Sequence, residues 1–405
     1  MRCSNILVLG GAGGMGRHIA RTLATFDFVK HITIAGLEET SALKFSQTLN
    51  GKGQFLALDV NNDAALNTAI SLCDIVVNAV GPFYRYAQQI ISASINQKRP
   101  YIDICDDIEP TEAILDRNDD AKAAGIPLIC GLGASPGLTN ILARMACNEL
   151  DEVFEIDTVW DLSGTATVDD GFVAPVKEGS PSAALVHWMH CCSGVLKVLN
   201  NGRWKNCRPV EPTSLSMPDG STFIGWSVAH PEPLTLPRTY PTLIASNNYM
   251  TGAPELFEHL QTVRDRIDSD DFTVESAANY LSDNFGLSAV LAASHEKEAK
   301  AKNNTASPSL MAIARGMKNG KQTLVTAKLN TLPLGGMGAA TGIPAALGIK
   351  LLHDKKISKK GAFAPEAIID PKAFFELFNP YCDGPQDHSK RQAPNLEIHS
   401  TSQSF

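Results

Sequence analysis

Residues 6–16 read ILVLGGAGGMG, four apolar residues followed by a glycine-rich turn. They match the pattern G-x-G-x-x-G, in which a buried strand runs through a tight turn into a helix. In this pattern Gly11 permits the turn, Gly13 lets backbone amides approach a pyrophosphate, and Gly16 lets the helix pack closely on the sheet. The stretch therefore predicts a dinucleotide-binding loop; a glycine-rich turn without a ligand is the alternative. The loop residues are Gly11, Ala12, Gly13, Gly14, Met15 and Gly16.

Short apolar runs alternate with stretches of helical spacing over the first 131 residues. The apolar runs, interpreted as buried strands, are residues 5–9, 31–35, 54–58, 75–79, 101–104 and 127–130. Helical spacing is found at residues 15–25, 40–49, 63–72, 84–96 and 112–124. This alternation predicts an α/β Rossmann domain over residues 1–131, with a parallel sheet and helices on both of its faces.

The character of the chain changes after Gly131. Turn sequences of the hairpin type stand between apolar runs at Asn201-Gly202, Pro218-Asp219-Gly220 and Asn319-Gly320. Such turns favour antiparallel connections, so residues 132–334 are expected to form an α+β, largely antiparallel substrate and dimerisation domain. Residues 335–380 are predicted to form C-terminal helices that return to the Rossmann domain. The polar tail, residues 383–405, is expected to be disordered.

Composition limits the classes of protein to consider. The chain has 405 residues, more than one core usually holds, and a net charge of −8 that disfavours nucleic acid as a partner. No apolar run is long enough for a membrane span, so no membrane partner is expected. The nine cysteines lack CxxC spacing and are expected to be reduced thiols in a cytoplasmic protein, with no metal site. A cleaved signal peptide is not expected, because cleavage would destroy the glycine loop.

Further cofactor contacts are predicted at the ends of later strands. Gly36 stands where an acidic residue usually binds the ribose, and Glu38 follows two residues later. Glu38 either reaches the ribose or is a solvated surface residue, so NAD and NADP are both open. Asp59 borders the adenine or caps the next helix. Val80, Gly81 and Pro82 follow the fourth strand, where ligands bind in such sheets, although a rigid turn would also explain Gly81-Pro82.

Several stretches together resemble the saccharopine dehydrogenase-like family, which includes saccharopine reductase, lysine 6-dehydrogenase and carboxyspermidine-type dehydrogenases. They are residues 10–16, 77–83 (VNAVGPF), 101–105 (YIDIC), 130–140 (CGLGASPGLTN), 229–233, 342–346 and 361–366. The resemblance implies a Rossmann domain with an inserted α/β domain, an NAD or NADP cofactor, and a homodimer. It also implies hydride transfer at a C–N bond of a small-molecule amino-acid or polyamine derivative. The second-strand end departs from the family, since it has neither the Asp of NAD-type members nor the Arg of NADP-type members.

Oxidation of an amine to an imine needs a group that accepts an N–H proton. We predict three catalytic residues. Asp103, at the end of the fifth strand, could bind a substrate ammonium, but a helix cap or a structural hydrogen bond explains it equally well. Tyr84 follows Gly81-Pro82 closely, and His230 lies in one of the stretches that resemble the family.

Two more histidines share a predicted helix over residues 181–198. His187 and His190 are three residues apart and can lie on one face. With no third ligand in view, a packed or surface histidine is the default interpretation, a catalytic role the next, and a zinc site the least favoured.

Two functions are consistent with these observations. The first is an NAD(P)-dependent oxidoreductase acting on CH-NH or CH-NH2 donors. The alternative is a non-catalytic NAD(P)-binding regulator or scaffold, which would bind the nucleotide without hydride exchange.

Overall fold

The computed structural model describes residues 4–162, 183–285, 308–382 and 395–403. The chain divides into two compact units. The first consists of Met1–Gly137 and Gly338–Phe378, and the second of Leu138–Met337 and Asn379–Phe405. The first division falls a few residues after the boundary predicted at residue 131.

A parallel sheet organises the first unit. Its seven described strands are β1 (Asn5–Leu9), β2 (His31–Gly36), β3 (Gly53–Ala57), β4 (Ile75–Asn78), β5 (Tyr101–Asp103), β6 (Pro127–Ile129) and β15 (Gly361–Phe363). Their order is β15-β6-β5-β4-β1-β2-β3, and every pairing is parallel. The chain builds β2 and β3 on one side of β1 and then crosses to β4 on the other. The gap between the carboxyl ends of β1 and β4 is therefore a topological switch point, where ligands bind in open α/β sheets.

Helices connect these strands, as the alternation predicted. They are α1 (Gly14–Ala24), α2 (Glu39–Ser46), α3 (Asp63–Ser71), α4 (Phe83–Asn96), α5 (Ile108–Asp116) and α6 (Asn118–Ala124). The single helix expected over residues 112–124 is divided into α5 and α6 at Arg117. The central strands are the buried ones: β4 is buried at all four positions and β5 and β6 at all three, as a sheet covered on both faces requires, whereas the edge strand β3 has no fully buried residue.

The later part of the first unit contains α12 (Gly336–His353), which joins it at Gly338, and α13 (Pro365–Ile368). A third helix, α14 (Pro371–Cys382), begins in this unit. The prediction that residues 335–380 are helical is wrong for Gly361–Phe363, which pairs with β6 as strand β15 of the parallel sheet. Glycine allows α12 to approach α1 closely, because a Cβ on Gly342 would lie 2.7 Å from the backbone oxygen of Met15. The apolar, glycine-containing sequence of α12 thus serves helix packing within this unit.

The second unit is built on a mixed sheet. Its nine described strands are β7 (Glu152–Asp161), β8 (Leu196–Asn200), β9 (Arg203–Cys207), β10 (Pro212–Ser216), β11 (Thr222–Ser227), β12 (Ala245–Thr251), β13 (Leu310–Lys318), β14 (Lys321–Leu329) and β16 (Leu396–Gln403). The main path is β10-β11-β12-β7-β13-β14-β16, with β8 pairing to β12 and β9. All pairings are antiparallel except β7 with β12. The predicted fold class, a Rossmann domain plus a largely antiparallel α+β domain, is confirmed.

Three hairpins lie where the turn sequences predicted them, joining β8 to β9, β10 to β11, and β13 to β14. Asn201 and Gly202 have φ values of 50° and 68°, and Asn319 and Gly320 have 51° and 73°. These left-handed conformations suit Asn-Gly and match the twist of a two-residue hairpin turn.

The helices of the second unit are α7 (Leu138–Cys147), α8 (Ala183–Cys191), α9 (Glu232–Thr239), α10 (Pro254–Asp268) and α11 (Val274–Phe285). The helix predicted to extend to residue 198 ends at Cys191, because Leu196–Asn200 instead pairs with β9 across the Asn-Gly turn. Its predicted first two residues, 181 and 182, lie outside the described residues.

The tail also differs from the expectation. Residues 383–394 lie outside the described residues, but Leu396–Gln403 is strand β16 and not disordered. It pairs with β14 along its whole length, from Gln322 opposite Gln403 to Leu329 opposite Leu396. The prediction was wrong because it rested on polar composition. A strand at the edge of a sheet is held by backbone hydrogen bonds to its neighbour, so it can form with few apolar side chains. Among the described residues, no helix combines the length and apolar character needed to cross a bilayer.

Candidate functional site

The glycine loop lies between β1 and α1, at the switch point of the first sheet. Gly10 has φ of +71°, and a Cβ there would lie 2.7 Å from the backbone oxygen of Ala79, just after β4. A Cβ on Gly16 would lie 2.2 Å from the oxygen of Gly10. Backbone therefore occupies the space that side chains would need at both positions. The prediction for Gly16 and helix packing is confirmed, but the left-handed turn residue is Gly10, one position before the predicted Gly11.

The start of α1 presents the elements of an anion site. Gly13 is its N-cap residue, with extended backbone, and no side chain among the described residues caps the helix there. Uncapped N–H groups and the positive end of the helix dipole attract a phosphate. Gly13 is exposed, so this helix start faces solvent.

Arg17 adds a positive charge beside this loop. Its Nη2 donates a 3.1 Å hydrogen bond to the backbone oxygen of Ala12. Its Nε is buried and has no hydrogen-bond partner within the described residues. A guanidinium whose donors are only partly satisfied suits an anionic ligand, since it binds phosphate through more than one N–H.

The end of β2 is open. Within the described part of the chain, no atom lies within 4 Å of a Cβ built on Gly36. The Glu38 carboxylate, predicted to contact the ribose, is the N-cap of α2 and accepts hydrogen bonds from the backbone N–H and the hydroxyl of Ser41. These bonds hold the pKa of Glu38 below its usual value. Gly36 therefore provides no carboxylate at the usual ribose-binding position, and the carboxylate of Glu38 is hydrogen-bonded to Ser41.

The other predicted cofactor residues lie at the same carboxyl edge. The exposed Asp59 follows β3 and accepts hydrogen bonds from the N–H and amide of Asn61, while Asn62 caps α3 in its place. Val80, Gly81 and Pro82 link β4 to α4, and the Gly81–Pro82 peptide is cis. The Val80 N–H donates to Oδ1 of Asn78 at 2.9 Å, which fixes the start of this turn.

Asp103 is the centre of a buried hydrogen-bond network. Its Oδ1 accepts from the backbone N–H groups of Cys105 at 3.0 Å and Gly131 at 2.7 Å. Its Oδ2 accepts from the hydroxyl of Tyr101, which in turn accepts from the amide of Asn78 at 3.0 Å. Asp103 is 0% exposed. The network joins the turns that follow β4, β5 and β6, so the geometry supports the structural interpretation of Asp103 that the sequence left open.

Tyr84 lies at the start of α4, directly after Phe83. Its backbone N–H donates to Oδ2 of Asp107 at 3.2 Å, which ties the start of α4 to the start of α5. Its side chain is exposed. Of the two predicted catalytic residues in the first unit, Tyr84 is the one that presents its side chain to solvent.

A second group of chemically active side chains lies in the second unit. His187 and Cys191 are four residues apart on α8, and His187 Nε2 lies 3.1 Å from Cys191 Sγ. The ring of His230, just before α9, lies 5.7 Å from the ring of His187. One ligand atom from each of the three residues lies within 4.8 Å of the others. We call His187, Cys191 and His230 the His-Cys-His cluster.

Surrounding residues hold His230 in place. Glu232 Oε2 lies 3.6 Å from His230 Nδ1, and Oε1 of Glu232 accepts a 2.8 Å hydrogen bond from the Thr139 hydroxyl. Trp160 stacks on the His230 ring at 5.5 Å and donates through Nε1 to Asn248. Both His230 and Glu232 are buried, so the ring position is determined on several sides.

The environment changes the pKa values of the cluster. Burial alone raises the pKa of the Cys191 thiol, but the charge of His187 and hydrogen bonds from both histidines outweigh it and lower the pKa below its usual value. Burial alone lowers the pKa of His230, but hydrogen bonds to Cys191 and Glu232, with their charges, raise it to about 10. Both pKa shifts therefore arise from contacts within the cluster and with Glu232.

Sequence reasoning missed three of these features. Cys191 carried a usable signal, since His-x3-Cys spacing places both side chains on one helix face. No sequence signal indicated that Cys191 lies near His230, because only the tertiary fold brings α8 and the segment before α9 together. Arg17 directly follows the last glycine of the motif, whereas the Arg of NADP-type members of the family is expected at the end of β2. His190 is exposed and is not part of the His-Cys-His cluster.

Comparison with known proteins agrees with this geometry. Residues 6–129 match the family described as "Saccharopine dehydrogenase NADP binding domain". This part of the chain is similar to that domain. The resemblance predicted from the sequence is thus confirmed, and so is the predicted cofactor class, NAD or NADP, at the level of this domain family.

One curated protein similar to this chain is a saccharopine dehydrogenase (NADP(+), L-glutamate-forming) of Pyricularia oryzae. It is 27% identical over 171 residues, which are 42% of this chain and 35% of the relative. The chain therefore spans about a third of the length of the curated relative it matches. The relative's name places the match among oxidoreductases.

A solved structure resembles the whole chain. Apo histidine-tagged saccharopine dehydrogenase (L-Glu forming) from Saccharomyces cerevisiae superposes with a TM-score of 0.66 at 15% identity. The match covers 99% of this chain and 100% of that chain. At this identity the likeness establishes the fold, including the second unit, which lies outside the matched NADP-binding domain.

Proposed function

We propose that this chain is an NAD(P)-dependent oxidoreductase that transfers hydride at a C–N bond of an amino-acid or polyamine derivative. The observation that carries the proposal is the uncapped start of α1 at the switch point between β1 and β4. Backbone amides and a helix dipole converge there where a pyrophosphate binds in this fold. The names of the family and of the curated relative support the same cofactor and the same reaction class.

Two features favour NADP over NAD. Gly36 leaves the usual place of the ribose-binding carboxylate open, so no negative charge at that position repels a 2′-phosphate. Arg17 supplies a guanidinium with a buried, unsatisfied Nε beside the loop. We assign Arg17 to a cofactor phosphate, since a charge-assisted hydrogen bond is stronger than a neutral one.

The bound nicotinamide supplies the hydride chemistry. The chain must bind the substrate and exchange one proton at its nitrogen. We propose Tyr84 for the proton exchange, because its phenol is exposed after the Gly81-Pro82 turn at the carboxyl edge of the sheet. His230 is the second candidate from the sequence, and its buried ring is held against Glu232. Asp103, whose carboxylate is engaged in three internal hydrogen bonds, acts as a positioning residue for the surrounding turns.

The proposal is tested in two stages with the purified chain. Fluorescence titration with NADPH and NADH measures cofactor binding, with tighter binding expected for NADPH. Absorbance of the nicotinamide then reports turnover with a panel of amino acids, saccharopine, keto acids paired with amines, and carboxylated polyamines. Tyr84→Phe should lower kcat while cofactor affinity is retained, since the phenol and not the loop is removed.

Saturable cofactor binding with no turnover across the panel would contradict the oxidoreductase proposal. It would favour the alternative, a non-catalytic NAD(P)-binding regulator or scaffold, which predicts that the nucleotide changes the oligomeric state. The cytoplasmic location and the homodimer expected from the sequence remain predictions.

A further inference from the structure

The His-Cys-His cluster is a set of metal-binding side chains that the proposed hydride transfer does not need. His187 Nε2 lies 3.1 Å from Cys191 Sγ, and all three residues offer a ligand atom within 4.8 Å of the others. Cys191 is 3% exposed and His230 4% exposed. Two imidazole nitrogens that converge on one buried sulfur form a mixed nitrogen and sulfur donor set, which suits a borderline-soft divalent cation.

The scaffold around the cluster is typical of a built metal site. His187 and Cys191 are spaced i,i+4 on α8, so the helix holds both ligand atoms on one face. His230 presents Nδ1 to Glu232 Oε2 at 3.6 Å, which directs its other nitrogen, Nε2, toward a different partner. The Thr139 hydroxyl anchors the opposite oxygen of Glu232 at 2.8 Å. A carboxylate behind a ligating histidine is the usual outer-shell arrangement of protein zinc sites.

A thiol–imidazole pair without metal is the competing interpretation of the same residues. Such a pair needs one histidine to activate the thiol, whereas here a second ring, that of His230, also lies near the sulfur, and the buried carboxylate of Glu232 lies beside that ring. A divalent cation explains the second ring, because it accepts all three donors at once.

We propose that His187, Cys191 and His230 bind one zinc ion, with Glu232 as the outer-shell partner of His230. Three protein ligands leave the fourth position of a tetrahedral zinc for water or for an oxygen or nitrogen atom of a ligand. The inference gives His230 a ligand role in place of the acid–base role predicted from the sequence. It revises the expectation that the chain has no metal site.

Metal titration of the full chain tests this proposal independently of cofactor binding. After dialysis against a chelator, the chain is titrated with Zn2+ in competition with a chromophoric chelator, and separately with Co2+. We expect one equivalent of metal per chain and, for Co2+, the sulfur-to-cobalt charge-transfer absorption that only a thiolate ligand produces. Zinc should also protect Cys191 from alkylation. Absence of the charge-transfer absorption in the wild-type chain would overturn the proposal whatever the variants do.

Variants then identify the ligands. Cys191→Ser, His187→Gln and His230→Gln should each abolish stoichiometric binding. Cys192→Ser and His190→Gln are matched controls, one an adjacent buried cysteine and the other a neighbouring exposed histidine, and both should bind as the wild type does. Glu232→Gln keeps an acceptor for Thr139 and should weaken zinc binding about 10- to 100-fold.

Circular dichroism establishes that each variant is folded before it is titrated. Stoichiometric zinc binding retained by folded Cys191→Ser would overturn the proposal. A wild-type chain that binds no zinc but has a readily alkylated Cys191 would also overturn it, in favour of the metal-free thiol–imidazole pair.

Discussion

The phenol of Tyr101 donates a 2.8 Å hydrogen bond to Oδ2 of Asp103, two residues further along the same strand. Both side chains are fully buried. Burial raises the pKa of Asp103 from 3.8 to about 6, although the hydrogen bonds from Gly131, Cys105 and Tyr101 lower it in part. A carboxylate that holds three turns of the chain in place is therefore one that titrates near neutral pH.

This shift predicts how stability depends on pH. Between pH 3.8 and about 6 the folded chain keeps a proton on Asp103 that the unfolded chain has lost. The folded state binds more protons, so the contribution of Asp103 to the free energy of unfolding falls as pH rises through this window, by roughly 3 kcal/mol in total. Asp103→Asn removes the titration. Urea unfolding of both proteins across this range should show a stability difference that changes with pH in this direction, and parallel pH profiles would contradict it.

Gly13 tests the phosphate-binding loop. Its φ of −69° is accessible to any residue, and among the atoms of the described residues only the oxygen of Gly10, at 3.2 Å, lies within 4 Å of an added Cβ. Gly13→Glu should therefore fold, but its carboxylate should repel the pyrophosphate and weaken NADPH and NADH binding at least about tenfold, or 1.4 kcal/mol. Gly13→Gln, similar in size and neutral, should weaken binding less. Fluorescence titration measures both, and unchanged affinity in Gly13→Glu would remove the basis of the proposed cofactor site.

Arg17 should distinguish the two nicotinamide cofactors. Arg17→Gln removes the positive charge beside the loop, and the loss of a charge-assisted hydrogen bond costs roughly 1.5–3 kcal/mol. NADPH binding should weaken about 10- to 100-fold, and NADH binding much less, because only NADPH carries the 2′-phosphate. Arg21→Gln, one turn later on α1 and stacked over Phe45, is the control. Equal losses for both cofactors would place Arg17 at the shared pyrophosphate instead.

Gly36 allows a second test of cofactor preference, in which a negative charge is added and no positive charge is removed. Gly36→Asp places a carboxylate at the end of β2, where no atom of a described residue lies within 4 Å of the new Cβ. The variant should bind NADPH about tenfold or more weakly, and NADH as well as or better than the wild type does, since a carboxylate accepts ribose hydroxyls and repels a phosphate. Gly36→Asn provides the uncharged control. A variant that still prefers NADPH to the same degree would show that Gly36 does not face the ribose.

The first unit was largely predictable from the sequence, because its local patterns, the apolar runs and the glycine motif, agree with the strand–helix alternation of the whole unit. Six strands of the parallel sheet coincide with apolar runs, and the loop at residues 11–16 has its glycines for reasons visible in the motif itself. The seventh, β15, lies in a stretch predicted to be helical and joins the sheet through a long-range pairing with β6. The Asn-Gly turns predicted their hairpins on the same basis. Boundaries were less accurate where one element competes with another, as in residues 196–198, which pair as a strand after the helix ends at Cys191.

The side-chain sites were harder to predict, because they depend on long-range contacts. Asp103 was recognised as a polar residue at a strand end, but its burial follows from Tyr101, Cys105 and Gly131, which no periodicity reveals. Glu38 lies near the position expected for a ribose-binding residue, but its carboxylate accepts a hydrogen bond from the hydroxyl of Ser41. His230 meets Cys191 across 39 residues, a separation that sequence spacing does not encode.

Strand β16 also matters for handling the protein. It is the last strand in the path of the second sheet and covers the outer side of β14 from Gln322 to Leu329. Trimming the chain before Leu396 would leave a nine-residue strand, Lys321–Leu329, with a row of unpaired N–H and C=O groups. An unpaired edge strand of this length can pair with a strand of another chain, so proteolysis near the carboxyl terminus is expected to cause self-association.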